Sequence, residues 1–140
     1  MKRIPKHIGI IPDGNRRWAV KNGLKKQEGY AHGLKPGLKL LRAAREYGIQ
    51  EITYYGFTVD NCKRPGEQVA AFSDACVTAA KMLEQEQAEL YVIGNDKSPC
   101  FPAGLLPYTG KRRQQDCGPE TLRVNFLVNY GWEWNMKNGW

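Results

Sequence analysis

No stretch of this sequence is apolar for long enough to cross a bilayer, which takes about 20 consecutive residues. The basic start, Met1-Lys2-Arg3-Ile4-Pro5-Lys6, carries no apolar segment of the kind a secretory signal needs. A cytoplasmic protein is therefore expected. Histidine is scarce, with two in 140 residues. The four cysteines, Cys62, Cys76, Cys100 and Cys117, form no C-x-x-C pair and have no histidine at metal spacing. That pattern argues against a zinc site or a disulfide framework and predicts free thiols in a reducing compartment. The dinucleotide fingerprint G-x-G-x-x-G is missing too, which speaks against nicotinamide and flavin enzymes. There are no internal repeats and no low-complexity segments.

What is present is positive charge. Lysine and arginine number 21 against 14 acidic residues, a net charge of +7. Such a balance favours an anionic partner: a phosphorylated substrate, an acidic membrane surface or nucleic acid. For nucleic acid there is only charge and a few aromatics, such as Trp18, Tyr54 and Tyr55, without a recognisable motif. Hydrophobic residues make up 41%, near the globular norm, and the length suits a single domain, 1–140, with a modest core.

The most informative stretch runs from His7 to Ala19. Ile8 to Ile11 reads as a short buried strand. It breaks at Pro12-Asp13-Gly14-Asn15, and Arg16-Arg17-Trp18-Ala19 can then begin a helix capped by Asp13 or Asn15. A strand turning sharply into a helix leaves free backbone N–H groups, a seat for an anion that two arginines deepen. Asp13 is out of place beside a phosphate unless a cation bridges them, which points to Mg²⁺.

The rest of the chain alternates. Leu34 to Tyr47 has helical periodicity, and Ile52 to Phe57 is rich in β-branched and aromatic residues, as a strand is. Gly66 to Glu89 predicts the longest helix, with Val69, Phe72, Cys76, Ala79, Ala80 and Leu83 on one face. Leu90–Ile93 and Leu122–Val128 read as two further strands. Between them, prolines and glycines leave room for at most a short helix near 104–113. Gly104 to Arg112 imitates a phosphate-binding P-loop, but its spacing is one residue too long and Arg112 stands where Ser or Thr is needed. A last helix should begin at Trp132. This order predicts an α/β fold, a parallel sheet with helices on both faces. Asp13-Gly14-Asn15, Thr58 to Arg64, Gly94-Asn95-Asp96 and Asn129-Tyr130-Gly131 each end a strand, so they should meet at one sheet edge, where ligands of such folds bind.

The run Asp13, Gly14, Asn15, Arg17, Trp18, Ala19 resembles the opening motif of the cis-prenyltransferases, the undecaprenyl diphosphate synthase family. Phe57, Asn61, Arg64 and Pro65 are similar to that family's second motif, with Thr58 and Asp60 as conservative variants. Cys62 stands where the family has tryptophan, Tyr30 where it has histidine, with His32 two residues on, and Gln68 where it has glutamate. Those three departures resemble a divergent branch that includes enzymes joining two branched C5 units irregularly. Asn129-Tyr130-Gly131 is similar to a family turn. The resemblance covers nearly all of this chain but only the front part of the family's. The later motif that binds isopentenyl diphosphate, and a metal-binding glutamate, are not found before Trp140.

The resemblance implies a cis-prenyltransferase-like domain, truncated at its C-terminus. The implied reaction condenses an allylic prenyl diphosphate with isopentenyl diphosphate. Asp13 would hold Mg²⁺ and, with Asn61 assisting proton removal, would be catalytic. Gly14, Asn15, Arg16, Arg17, Trp18, Lys26, Tyr30, Thr58, Val59, Asp60, Cys62 and Arg64 would bind substrate. The helix over 66–89 would line a tunnel for the isoprenoid, with Ala75, Ala79 and Ala80 leaving volume. A homodimer, or pairing with a longer synthase, and peripheral membrane contact are further expectations. The alternative is a non-catalytic prenyl-diphosphate-binding or regulatory subunit of a full-length synthase.

Overall fold

The computed structural model describes residues 3–86, 88–109 and 121–138. Four strands, β1 (His7–Ile10), β2 (Glu51–Thr58), β3 (Ala88–Ile93) and β4 (Leu122–Tyr130), form one sheet in the order β1-β2-β4-β3. Every neighbouring pair is parallel. All four carboxyl ends therefore lie along one edge. Among the described residues five α-helices connect and flank the strands: α1 (Asn15–Lys21), α2 (Gly29–His32), α3 (Leu34–Glu46), α4 (Gly66–Glu84) and α5 (Trp132–Asn138).

Period-two alternation along the strands divides the core. Ile52 and Tyr54 of β2, Leu90 and Val92 of β3, and Val124, Phe126 and Val128 of β4 pack into the main core with Leu41 and Ala44 of α3 and Phe72, Cys76, Ala80 and Leu83 of α4. Tyr55, Tyr91, Ile93, Leu127 and Tyr130 take the opposite face, where Trp134 of α5 covers them. The register slips between Tyr55 and Phe57. This irregularity shifts the alternation by one, so Phe57 joins the main core and its ring lies 4.4 Å from that of Phe72. Gly56 sits at the slip, where a Cβ would come within 2.7 Å of the Phe126 ring. Buried Asn125 stays satisfied by donating to Glu51 Oε2 at 2.6 Å and Thr53 Oγ1 at 3.2 Å.

Several sequence expectations need correction. β1 is not buried: it is an edge strand, with His7 and Gly9 exposed, Ile8 and Ile10 half-buried, and Ile11 beyond it 77% exposed. α4 ends at Glu84 instead of Glu89, because β3 already begins at Ala88. The short helix near 104–113 is a 3₁₀ turn over Ala103–Tyr108 that ends at Thr109, and 110 to 113 lie outside the described residues. Neither Asp13 nor Asn15 caps α1. Gly14 does, in the left-handed region at φ 92°, with no side-chain cap. The cysteines are not all free: Cys62 and Cys100 form a disulfide, whereas Cys76 is a buried thiol. A separation of 38 residues hides such a pairing from the sequence. Cys117 lies outside the described residues. Among those residues no helix is long and apolar enough to cross a membrane.

Candidate functional site

Two cavities meet at the carboxyl edge of the sheet. The first is a polar cleft of ≈ 560 Å³ on the turn that leaves β1. Pro12, Asp13, Gly14 and Asn15 form its base. The cations Arg16, Arg17, Lys21, Lys26 and Arg64 surround it, with Asp13 as its one carboxylate among the described residues. Asp13 and Arg17 form a 3.0 Å ion pair in which both side chains are exposed. Arg16, Lys21, Lys26 and Arg64 make no ion pair among the described residues. The cleft therefore keeps surplus positive charge. α1 has only seven residues, so the cationic side chains carry most of this preference for an anion.

The second is an apolar cavity of ≈ 110 Å³ between α3, α4 and the sheet. Leu34, Leu38 and Leu41 of α3 line it, opposite Phe72, Ala75, Ala79 and Met82 of α4. Ala75 and Ala79 line it, where small residues leave space, whereas Ala80 is wholly buried in the core and lines neither cavity. Burial raises the Tyr54 hydroxyl, on the cavity wall, above its ordinary pKa. It also pushes the neighbouring Cys76 thiol up to about 12, so that sulfur stays protonated. Pro12, Asn15 and Tyr30 line both cavities and mark where the cationic cleft opens into the apolar one.

Local packing fixes these shared residues. Asn15 is wedged under α2: a Cβ on Gly29 would overlap the Asn15 carbonyl, and one on Gly33 would stand 2.7 Å from Asn15 Oδ1. The Tyr30 ring packs edge-on to Phe72 at 5.7 Å, and its hydroxyl accepts a 3.0 Å hydrogen bond from Arg64 Nη1. Arg16 reaches Gln68 Oε1 at 3.5 Å. His32 is exposed and lies against Trp18 with ring centroids 5.0 Å apart, so of the two candidates Tyr30 faces the site.

The turn after β2 is a 3₁₀ turn, Val59–Lys63. Asn61 Oδ1 accepts the Thr58 N–H at 2.9 Å, which closes that turn on itself. Asp60 pairs with Lys63 at the surface, and Val59 is exposed beside Gly131. Of the expected site residues, Asp13, Gly14, Asn15, Arg16, Arg17, Lys26, Tyr30 and Arg64 line the cleft. Trp18, Thr58, Val59, Asp60, Asn61 and Cys62 line neither cavity. Deeper along the edge, Asn129 stands in the left-handed region at φ 50°. Its Nδ2 donates to the Asn95 carbonyl at 3.1 Å, and the Asn95 N–H donates back to the Asn129 carbonyl. The strand-end clusters thus share one edge, as the pattern predicts. Gly33, Gly37, Leu34, Leu38 and Met82 went unnoticed as cavity residues, because helical periodicity marks a buried face without telling core from cavity wall.

As for Mg²⁺, no group of three or more His, Cys, Asp or Glu side chains gathers among the described residues. A single exposed carboxylate at the rim of a cationic cleft fits a cation shared with a phosphate, a common arrangement for Mg²⁺.

Residues 11–140 match the prenyltransferase family model described as undecaprenyl diphosphate synthase. The chain is 31% identical over 137 residues to a ditrans,polycis-undecaprenyl-diphosphate synthase of Shewanella oneidensis, covering 95% of this chain and 49% of that protein. It is 33% identical over 132 residues to an isoprenyl transferase of Bacillus subtilis, covering 91% and 50%. The chain thus spans about half the length of the curated relatives it matches. The fold is similar to that of lavandulyl diphosphate synthase from Lavandula x intermedia, solved with dimethylallyl diphosphate. That comparison gives a TM-score of 0.73 at 22% identity, over 90% of this chain and 55% of that one.

Proposed function

Since the chain belongs to the undecaprenyl diphosphate synthase family of prenyltransferases, we propose that these residues form the half of a prenyltransferase site that holds the allylic diphosphate. The observation that carries this reading is the junction of the two cavities. A ligand with a strongly anionic head and a short apolar tail matches a cationic cleft opening into an apolar cavity at Pro12, Asn15 and Tyr30. The apolar space of ≈ 110 Å³ is smaller than the roughly 150 Å³ that accommodates benzene in an engineered protein cavity. A five-carbon allylic group suits it better than a farnesyl chain.

In the proposed reaction the allylic C–O bond breaks as diphosphate departs. The double bond of isopentenyl diphosphate attacks the allylic carbon, and a proton is lost from the adduct. Arg16, Arg17 and Lys26 hold the diphosphate head by charge-assisted hydrogen bonds and disperse the charge that grows on it. Arg64 orients the Tyr30 hydroxyl toward the same head. Asn15, fixed by Gly29 and Gly33 at the two ends of α2, sets the height of the head above the apolar cavity. Asp13 would hold Mg²⁺, which when bound supplies Lewis-acid stabilisation of the leaving diphosphate. Asn61 holds the turn that carries Arg64, a positioning role in place of direct proton removal.

Incubation with radiolabelled isopentenyl diphosphate and dimethylallyl diphosphate, with the protein alone and with a full-length synthase added, tests the reading. Extractable labelled product that requires Arg17 supports it in either setting. Label incorporation indifferent to Arg17→Ala contradicts it.

A further inference from the structure

The disulfide between Cys62 and Cys100 joins two segments that the sheet keeps apart. Cys62 lies in the 3₁₀ turn after β2, and Cys100 lies seven residues beyond the end of β3. β4 runs between those strands, so the bridge straps across the carboxyl end of β4. There Cys62 Sγ lies 3.4 Å from Asn129 Oδ1, the residue that also ties β4 to Asn95. Arg64, two residues past Cys62, makes the 3.0 Å hydrogen bond to the Tyr30 hydroxyl. Tyr30 and Arg64 both line the cationic cleft. A covalent strap and a cleft-lining arginine therefore share one short turn.

We propose that the Cys62–Cys100 pair is a thiol–disulfide switch that sets the anion affinity of the cleft, with the oxidised form as the binding form. The co-reactant is a dithiol. Its thiolate attacks one sulfur of the pair, the S–S bond breaks, and a mixed disulfide forms. The second thiol of the dithiol then displaces the remaining sulfur. Two electrons and two protons pass to Cys62 and Cys100, and the dithiol leaves as a disulfide. Both cysteines are only half-buried, so a small dithiol can reach them. Buried Cys76, with its thiol pushed up to about 12, takes no part. Once reduced, the Cys62 turn is held by the Asn61 contact to Thr58 and by a thiol contact to Asn129, both non-covalent. Arg64 then samples positions away from Tyr30. If the competent arrangement falls to about a fifth of the population, apparent affinity falls about fivefold.

The affinity arm rests on the proposed allylic diphosphate site, so the test pairs it with a readout that needs no ligand. Wild type purified without reductant, wild type treated with dithiothreitol, and Cys100→Ser are each titrated with dimethylallyl diphosphate and Mg²⁺. The same three samples are followed by hydrogen exchange over residues 59–64, and alkylation with mass analysis of the native protein counts reactive thiols. The expected result is faster exchange at 59–64 on reduction, with affinity about fivefold weaker in both the reduced and Cys100→Ser proteins. Equal affinities in all samples, or exchange at 59–64 unchanged by dithiothreitol, would overturn the switch and leave the site reading intact. Cys62 and Cys100 alkylating in protein purified without reductant would overturn it as well. If no sample binds the diphosphate, the site reading fails. Exchange then decides alone: faster exchange on reduction supports the strap's control of the turn, and unchanged exchange overturns it.

Discussion

Asn15 and Gly33 are packed so closely that a Cβ on Gly33 would stand 2.7 Å from Asn15 Oδ1. α2 thus clamps the residue at the junction of the two cavities. Gly33→Ala should destabilise the protein by about 1–3 kcal/mol, the usual range for overpacking. Gly29→Ala should cost more, because its obstacle is the Asn15 backbone carbonyl and not the end of a side chain. Urea midpoints of the two variants check this; a milder effect at Gly29 would show that the turn yields more easily than the packing indicates.

Asp13 is the one carboxylate that lines the cleft among the described residues, so Mg²⁺ alone has little to hold it there. Mg²⁺ without diphosphate should leave the thermal midpoint nearly unchanged. With dimethylallyl diphosphate at about 100 times its dissociation constant, stabilisation should reach about 2.7 kcal/mol. In Asp13→Asn the ligand should still stabilise the protein, but equally with and without Mg²⁺. A full Mg²⁺ response in that variant would place the cation elsewhere.

The tail cavity gives a separate prediction. Met82 lines it and is half-buried, so Met82→Ala lengthens the space while leaving the cleft untouched. The wild type should be stabilised more by dimethylallyl than by farnesyl diphosphate. Met82→Ala should reverse that order, at an intrinsic cost below the roughly 2–5 kcal/mol of truncating a fully buried methionine. An unchanged order would mean that the tail leaves by another path.

Away from the site, Glu86 accepts a 2.7 Å hydrogen bond from Arg42 and lies 3.7 Å from Arg45. The hydrogen bond from Arg42 holds its carboxyl below the ordinary value of 4.5. A carboxylate lowered by folding stabilises the native state above its unfolded pKa, and this contribution disappears as the pH falls through the folded value. Arg42→Ala should therefore be less stable than wild type at neutral pH, with the gap closing as the pH falls below the ordinary value of 4.5 and through the lowered folded value. A gap that persists in acid would assign the loss to packing of the arginine stem.

Much of this fold was legible because the strands of a parallel sheet are written as apolar runs ending in turn residues. Ile52, Leu90 and Val124 sit in the core as their pattern requires. The motif from Asp13 to Ala19 gave the cationic cleft directly, since Arg16 and Arg17 follow the turn that forms its base. Strand order was not legible, and with it went the status of β1: an edge strand and a central one can share the sequence Ile-Gly-Ile. That the amide oxygen of Asn61 closes its own turn was not legible either, because a motif position does not say which backbone group a side chain holds. The pairing of Cys62 with Cys100 depends on the turns after β2 and β3 meeting over β4, a relation that only the three-dimensional fold supplies.

The central claim is that the cleft from Asp13 to Arg17 binds the head of an allylic diphosphate. Calorimetric titration of the protein with dimethylallyl diphosphate in Mg²⁺ tests it most directly, with Arg17→Ala beside Lys81→Ala, an exposed lysine that lines neither cavity. The account predicts saturable one-to-one binding that weakens by about tenfold or more in Arg17→Ala, consistent with losing a charge-assisted contact worth about 1.5–3 kcal/mol. Lys81→Ala should bind like wild type. Equal weakening in the two variants would mean that net charge alone attracts the ligand, and would contradict a site at this cleft.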